Sequence, residues 1–249
     1  IWKGLVGSEM CIRDSVWAMD VARFGDYASP QYGTIKSSEN YERRFIMTFP
    51  NETLPKGRKQ KTTTLYDRFV NQGAVMGDSF GLENVLWFAK SKEDAHEEPT
   101  IKRSRSHDYV SKEVINVREN VGLIEVANFS KHEFKGPDAR KFLDHIMAGR
   151  LPKPGRISLS PMLSYRGKLC GDLTVACLDE NEFMVFGSGA AQEMHRRWFE
   201  SHLDKFNLSY SNRSDEYHGL SIAGPNSRKV LEKIVRDDVS NEKLSLIHI

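Results

Sequence analysis

The sequence has few cysteines, and their placement excludes a disulfide framework. Only three cysteines occur among the 249 residues. Cys170 and Cys177 lie seven positions apart in one predicted strand, so they point to opposite faces and cannot pair if the strand is straight. They also lack the spacing of metal ligands. We therefore expect this protein to work in a reducing compartment.

The sequence also lacks a long apolar run and a strong net charge. No apolar stretch approaches the roughly 20 residues that a membrane span requires, and the formal net charge is +2. The basic runs at residues 56–61 and 102–105 are therefore predicted to be solvated loops. Neither a membrane nor a nucleic acid is expected as a partner. The composition, with 39% hydrophobic and 28% charged residues, is typical of one large or two small globular domains.

The two ends of the chain lack the features of targeting segments. Residues 1–15 (IWKGLVGSEMCIRDS) have no signal-peptide layout, because a basic start followed by an apolar core is missing. The string LVGSEMCIRDS at the start and LSLIHI at the end resemble translated sequencing-adapter sequence. We therefore expect residues 1–15 and 244–249 to be artefacts, and the natural protein to continue in both directions.

The first half of the sequence predicts little regular structure. Residues 16–88 form one irregular unit that is rich in aromatic side chains. Within it, Tyr41–Phe49 (YERRFIMTF) is predicted to be a strand, and Leu65–Val70 a short helix. Residues 89–107 are charged and contain a proline, which predicts a linker or surface loop.

Residues 108–243 carry sharper signals and are predicted to form a second domain. Asp108 is placed to cap a helix whose apolar residues recur at helical spacing. These residues are Val110, Val114, Val117 and Val121. A second helix is predicted after Gly136-Pro137, because proline favours the first helical position. Its apolar face consists of Phe142, Leu143, Ile146 and Met147.

A run of strands follows these helices. The predicted strands are Arg156–Leu163, Leu169–Leu178 and Glu182–Phe186, separated by turn signals. The turn Gly187–Gly189 then leads into a helix from Ala190 to about Leu203. Because the strands are grouped together and flanked by helices, the pattern predicts an α+β fold and not a parallel βαβ series.

The strand Leu169–Leu178 contains the best candidate for chemistry, Asp172. Alternation places the apolar Leu173, Val175 and Cys177 on one face. The other face carries small and polar residues, namely Cys170, Asp172, Thr174 and Ala176. A buried carboxylate needs a partner, because burying it alone is costly. Because this second face is small and polar, as the wall of a cavity would be, we predict that Asp172 is buried there with a partner. The alternative is an ordinary outward-facing strand aspartate.

The turn and helix after these strands carry weaker signals. Gly187-Ser188-Gly189 half-matches a dinucleotide fingerprint, but Gln192 stands where that motif needs a small residue, so a Rossmann site is rejected. A tight turn at a helix N-terminus would still suit an anionic or polar ligand edge; the alternative is a plain turn. His195 and His202 lack companions at zinc-like spacing and are predicted to be solvated or core-edge residues.

The order of several short motifs resembles a known enzyme family. One group resembles the folate-binding aminomethyltransferase domain of the glycine cleavage T-protein: Pro161–Leu163, Gly167, Gly171–Val175 (GDLTV), Gly187–Ala191 and Gly219–Pro225 (GLSIAGP). An upstream group resembles the central region of the dimethylglycine and sarcosine dehydrogenase family: Val16–Gly25 (VWAMDVARFG), Thr64–Arg68 and Gly73–Gly77. In that family an FAD oxidoreductase domain precedes the folate domain. The resemblance covers residues 16 to 238.

The resemblance implies a reaction in two parts. FAD, bound by a domain absent from this chain, oxidises a small N-methyl amine to an iminium. The folate domain then transfers the one-carbon unit to tetrahydrofolate. By this resemblance residues 16–88 are the oxidoreductase central domain, and residues 108–243 are the truncated N-terminal part of the folate domain. The compartment is then the cytoplasm in bacteria or the mitochondrial matrix in eukaryotes.

The resemblance also assigns roles to residues. It implies that Asp172 is catalytic and lies beside the folate N10 region, where its carboxylate orients the amine nucleophile. The implied folate-binding residues are Met162, Leu163, Thr174, Gly187, Ser188 and Gly189. Gly187 stands where the T-protein has a pterin-contacting asparagine, so one side-chain hydrogen bond is lost. The alternatives are a non-catalytic regulatory subunit of the same architecture, like that of pyruvate dehydrogenase phosphatase, and a stand-alone folate-dependent aminomethyltransferase.

Overall fold

The structure is a computed structural model that describes residues 23–50 and 52–240. The expected artefact segments at residues 1–15 and 244–249 lie outside these ranges. The described chain divides into two units. The first contains residues 23–38, 79–82 and 128–217, and the second contains residues 39–50, 52–78, 83–127 and 218–240.

The described residues mix helices with antiparallel strands, which confirms the predicted α+β class. In chain order the helices are α1 (Pro30–Glu42), α2 (Tyr66–Asn71), α3 (Ser106–Glu119), α4 (Ala139–Ile146), α5 (Gln192–Glu200) and α6 (Ser227–Leu231). The strands are β1 (Ala74–Ser79), β2 (Leu82–Phe88), β3 (Gly122–Glu125), β4 (Ser130–Lys135), β5 (Arg156–Leu163), β6 (Leu169–Asp179), β7 (Glu182–Gly187), β8 (Ser209–Asn212) and β9 (Leu220–Ala223). None of the described helices combines the length and the apolar composition that a membrane span requires.

The first unit is built on a five-stranded sheet in the order β5-β6-β7-β4-β8, in which every neighbouring pair is antiparallel. The predicted alternation of β6 is confirmed, because Leu173, Val175 and Cys177 are buried in the core. Phe142 from α4 and Phe199 from α5 belong to the same core cluster. The core of this unit therefore contains side chains from one face of the sheet together with residues of both helices.

Helix α4 follows β4 through a turn that only glycine can form. Gly136 has a φ of +139°, and a β-carbon on it would lie 2.7 Å from the α-carbon of Leu208. The helix then buries the predicted apolar face, with Phe142 and Leu143 fully inaccessible to solvent. The amphipathic pattern therefore places this helix correctly, and the glycine sets its approach to the sheet.

The second unit has smaller sheets. Strands β1 and β2 form one two-stranded sheet, and β3 pairs antiparallel with β9. Trp87 is buried in a small core with Val75, and Tyr109 of α3 stacks on its ring at 5.0 Å between centroids. The irregular segment between β2 and α3 contacts that helix, because Tyr109 Oη donates a hydrogen bond to Asp94 at 2.8 Å.

The predicted strand at Tyr41–Phe49 is wrong. Helix α1 continues through Glu42, and the chain then turns, leaving Phe45 92% exposed. The carboxylate of Glu52 pairs with Arg43 and accepts a hydrogen bond from the Phe49 N–H at 3.2 Å. These contacts close a turn, and a strand-like composition without a pairing partner does not make a strand.

The predicted helix at Asp108 is present as α3, but its apolar face is not buried. None of the residues of α3 is buried, and Val114 is 46% exposed. The helical spacing of the valines therefore identified the helix correctly, whereas Asp108 lies in the first turn of α3 and does not cap it.

We expect the substitution Leu173→Ala to lower the free energy of unfolding by about 2–5 kcal/mol, because it removes a fully buried side chain and leaves a cavity. Leu178→Ala changes an exposed leucine of the same strand and should cost less than about 0.5 kcal/mol. Urea denaturation followed by circular dichroism measures both. Equal losses in the two variants would contradict the described orientation of β6.

Candidate functional site

Asp172 lies on the open face of β6, so the prediction that it is buried is wrong. Its side chain is exposed, and the residue opposite it on β5 is Pro161. Residues paired directly across two strands share a face of the sheet. The next pair on that face joins Leu159 to Thr174, and Leu159 is 66% exposed. This face of the sheet is therefore not covered by the core, and the carboxylate needs no buried partner.

Two cavities of the first unit meet at Asp172. One has a volume of about 310 Å³ and is lined by Asn128, Phe129, Leu159, Asp172, Thr174, Phe186 and the turn residues Gly187, Ser188 and Gly189. The other has a volume of about 320 Å³ and is lined by Arg23, Phe80, Gly171, Asp172, Ser188, Ala190, Ala191 and His195. Asp172 and Ser188 line both cavities. The structure therefore brings Asp172 together with Thr174 and the whole Gly187–Gly189 turn.

Two of the predicted folate-binding residues lie elsewhere. Met162 is fully buried in the hydrophobic core. Its partner across the ladder is Gly171, so its side chain points to the opposite face of the sheet from Asp172. Leu163 is 37% exposed at the end of β5. Neither residue lines a cavity that contains Asp172.

The glycine turn packs closely against the segment before β4. A β-carbon on Gly189 would lie 1.9 Å from the carbonyl oxygen of Asn128, so only glycine fits there. The Ala191 N–H donates to the Ser188 carbonyl at 3.1 Å, which begins the short turn of helix that leads into α5. The turn thus brings Asn128 and Phe129 to the cavity, and no pattern in the sequence predicted that either residue lies there.

His195 is another residue whose place was not recognised from the sequence. It is 2% exposed, lies on α5, and lines a cavity with Asp172. Its Nε2 atom lies 3.3 Å from the carbonyl oxygen of Cys170, two residues before Asp172. Burial lowers the pKa of His195, while the Cys170 hydrogen bond and the negative charge of Asp172 oppose that shift. A neutral imidazole therefore lies beside the candidate carboxylate.

A second buried histidine lies close to the first. His132 on β4 is fully buried, and its ring centroid is 6.4 Å from that of His195. Its Nδ1 atom lies 2.9 Å from Tyr210 Oη. Burial, followed by the repulsion of His195, lowers the pKa of His132 to about 3. Both imidazoles are neutral at pH 7, and proton uptake by His132 in the folded state is strongly opposed.

A further cavity and the other polar side chains of the described residues are weaker candidates for a functional site than Asp172. The second unit has a cavity of about 430 Å³, lined largely by apolar side chains such as Phe69, Trp87 and Phe88. None of the predicted site residues lines it. Within residues 23–50 and 52–240, no group of three or more histidine, cysteine or acidic side chains is placed to hold a metal ion. The candidate site therefore remains at Asp172.

Fold and site together define an α+β domain with an accessible carboxylate beside a glycine turn, and comparisons with known proteins give its family. The model of the GCVT N-terminal domain matches residues 65–249. The model of the FAD dependent oxidoreductase central domain matches residues 14–63. The chain therefore belongs to the GCVT N-terminal domain family, and the order of the two matches confirms the resemblance to the dimethylglycine and sarcosine dehydrogenase family.

Individual proteins agree with this assignment. Mouse mitochondrial dimethylglycine dehydrogenase is 31% identical over 92% of this chain, and the chain spans 27% of that protein. An aminomethyltransferase of Staphylococcus epidermidis is 28% identical over 73% of the chain, which spans 45% of that protein. The crystal structure of the glycine cleavage system aminomethyltransferase T from Bartonella henselae covers 70% of the chain with a TM-score of 0.57 and 23% identity, and 43% of that structure is matched. This last likeness supports the fold.

We expect the stability of the protein to fall as the pH drops from about 6.5 toward 3, because the pKa of His132 is about 3 in the folded state and near 6.5 when unfolded. The unfolded state then binds the additional proton, so His132 contributes a slope of about 1.4 kcal/mol per pH unit. His132→Phe keeps an aromatic ring against Phe199 and should flatten the slope between pH 4.5 and 6.5. Denaturant unfolding at several pH values measures it.

The matched control is His107→Phe, which changes an exposed histidine of α3. Its slope should equal that of the unaltered chain. An unchanged slope in His132→Phe would contradict the lowered pKa of His132.

Proposed function

We propose that this chain carries part of the folate domain of an N-methyl amine dehydrogenase, in which Asp172 assists the transfer of a one-carbon unit to tetrahydrofolate. The observation that carries the proposal is the position of Asp172, whose accessible carboxylate lies where two cavities meet. Membership of a family whose relatives are named dimethylglycine dehydrogenase and aminomethyltransferase supports the choice of reaction.

The lining of the smaller cavity suits a bicyclic ring with a flat pyrimidine part, such as the pterin of tetrahydrofolate. Phe129, Leu159 and Phe186 supply apolar surface, and the hydroxyl groups of Thr174 and Ser188 supply hydrogen-bonding groups. A volume of about 310 Å³ is near the lower end for small-molecule pockets. It accommodates a bicyclic ring, and the remainder of the ligand would extend beyond it. We therefore retain Thr174, Gly187, Ser188 and Gly189 as proposed folate contacts and leave out Met162 and Leu163.

Transfer of the one-carbon unit requires the protein mainly to position the two reactants and to move a proton between them. A folate nitrogen attacks the iminium carbon, a C–N bond forms, and the π electrons of the C=N bond move to the amine nitrogen. The attacking nitrogen then loses one proton, which the Asp172 carboxylate is placed to accept and to pass to the amine nitrogen. The bond between the carbon and the amine nitrogen then breaks and the neutral amine leaves. The second folate nitrogen bonds to the same carbon and releases its proton, which gives methylenetetrahydrofolate. Before these steps, the negative charge of Asp172 stabilises the iminium cation. A ligand that excludes water from this open face strengthens both effects.

The oxidation step is assigned to another part of the protein. In this family FAD lies in an oxidoreductase domain that precedes the folate domain, and the matched residues 14–63 correspond to the central region between them. The amine substrate would be chosen there. No described residue of this chain is assigned to flavin or to the choice of amine, and the compartment would follow that of the whole enzyme.

The substitution Asp172→Asn tests the proposal in the full-length protein that contains this chain. It preserves shape but removes the negative charge and the proton acceptor. We expect the rate of methylenetetrahydrofolate formation from dimethylglycine or sarcosine to fall about 10²- to 10⁴-fold, while flavin reduction by the same amine stays unchanged. Stopped-flow flavin absorbance and a folate product assay measure the two steps separately.

The control for this test is Asp144→Asn, which changes an exposed carboxylate of α4 that lines neither cavity. It should leave both steps unchanged. If Asp172→Asn forms the folate product at the normal rate, the role of Asp172 is refuted. An unaltered protein that neither reduces a flavin with the amine nor makes the folate product would favour the regulatory alternative.

A further inference from the structure

His195 occupies a seat formed by two glycines on neighbouring strands. A β-carbon on Gly171 of β6 would lie 2.7 Å from His195 Nε2. A β-carbon on Gly187 of β7 would lie 3.0 Å from His195 Nδ1. Both distances are shorter than ordinary carbon–nitrogen contacts. The imidazole therefore packs against the sheet where both strands lack side chains.

This seat places the imidazole where β6 remains paired with β5 but no longer has a partner on the β7 side. The ladder between β6 and β7 begins at Thr174, which pairs with Phe186, and β7 ends at Gly187. The chain from Cys170 to Asp172 therefore extends past the end of β7. His195 Nε2 lies 3.3 Å from the Cys170 carbonyl in this stretch. The His195 side chain thus takes the place of a strand partner at Cys170, two residues before Asp172.

The contact with Cys170 also fixes which nitrogen of His195 carries the proton. A carbonyl oxygen can only accept, so Nε2 must be the N–H donor, and in the neutral ring Nδ1 is left as an acceptor. Nδ1 is buried and has no hydrogen-bond partner among the described residues. An acceptor in that position requires a donor, because leaving it without one costs about 1–3 kcal/mol.

Two more buried polar atoms near this point also lack partners. Ser130, which is paired with Gly187 across the ladder, is fully buried, and its Oγ has no partner among the described residues. The β-carbon position of Gly187 is 3.0 Å from this Oγ, the same distance as from His195 Nδ1. His132 Nε2 is likewise buried without a described partner. Buried waters commonly satisfy such groups with about three hydrogen bonds.

We propose that Ser130, His132 and His195 enclose a buried water molecule, and that this water holds His195 as a positioning residue for Asp172. The water donates to His195 Nδ1, accepts from His132 Nε2–H, and exchanges a hydrogen bond with Ser130 Oγ. The Nε2–H of His195 then stays directed at the Cys170 carbonyl and fixes the strand that carries Asp172. The positioning role rests on the proposed function, whereas the water site does not.

The water site is tested on the 249-residue chain without any ligand. In ¹⁵N NMR spectra at pH 7, the ring of His195 should show a protonated Nε2 and an unprotonated, hydrogen-bonded Nδ1. Ser130→Ala should shift the Nδ1 resonance and leave Nε2 protonated. A high-resolution crystal structure should show one water within hydrogen-bonding distance of all three side chains. A protonated Nδ1, or an empty chamber, would overturn the proposal.

The positioning role is tested in the full-length protein with His195→Phe and His195→Gln. Phenylalanine fills the seat but cannot donate to Cys170, so kcat for methylenetetrahydrofolate formation should fall about 100-fold, the cost of a misplaced reacting group. Glutamine retains an N–H donor and should restore activity to within about threefold of the unaltered protein. Flavin reduction should be unchanged in both. Equal losses in both variants would reduce His195 to a packing residue and refute the role.

The glycine seat provides a matched pair of substitutions. Gly171→Ala places a methyl group 2.7 Å from His195 Nε2 and should reproduce the kcat loss of His195→Phe. Gly33→Ala adds a methyl group that meets nothing within 4 Å and should change neither step. If the unaltered protein makes no folate product while the NMR result holds, the proposed function fails and the water site stands. Normal folate product formation in Gly171→Ala would contradict the positioning role.

Discussion

Strand β6 faces the core on one side and a cavity on the other, and the candidate site depends on that division. Each of Leu173 and Val175 contributes roughly 1.5–3 kcal/mol by leaving water, and together they fix which residues of the strand face inward. A shift of register by one residue would expose them and bury Asp172. The core that stabilises the first unit is therefore also what holds the carboxylate toward the cavity.

In the proposed function, the open face of the sheet would let an exposed carboxylate act in catalysis. Leu159 and Ile157 on β5 lie on the same face and are exposed. A ligand that lies on this face buries apolar surface and at the same time removes water from Asp172. The attraction between the carboxylate and a cationic carbon rises as the local dielectric falls. Binding and electrostatic stabilisation are thus coupled through the same surface, without a permanently buried charge.

The sequence predicted the elements whose signals are local. Strands β5, β6 and β7 follow from alternation and turn residues, and α4 follows from its amphipathic face. The segment Tyr41–Phe49 has a strand-like composition, but a strand also needs a partner, which no local pattern reports. Burial of Asp172 was predicted wrongly for a similar reason, since alternation shows which residues share a face but not what covers it. The resemblance implied a folate contact for Met162. Its pairing with Gly171, however, places its side chain on the face of the sheet opposite to Asp172.

At Gly187 the lack of a side chain makes room for residues that are distant in the sequence. The resemblance to the T-protein fold suggests that an asparagine contact to pterin is lost at this position. In this chain a side chain there would meet Leu173, Ser130 and His195, each within 3.0 Å or less. The space that an asparagine would need is therefore taken by the imidazole of His195 and by the side chains of Leu173 and Ser130. If the resemblance holds at this position, the absence of the asparagine and the presence of His195 are two aspects of one packing arrangement. In the proposed function, the backbone of the turn and not a side chain of residue 187 would then contact the folate.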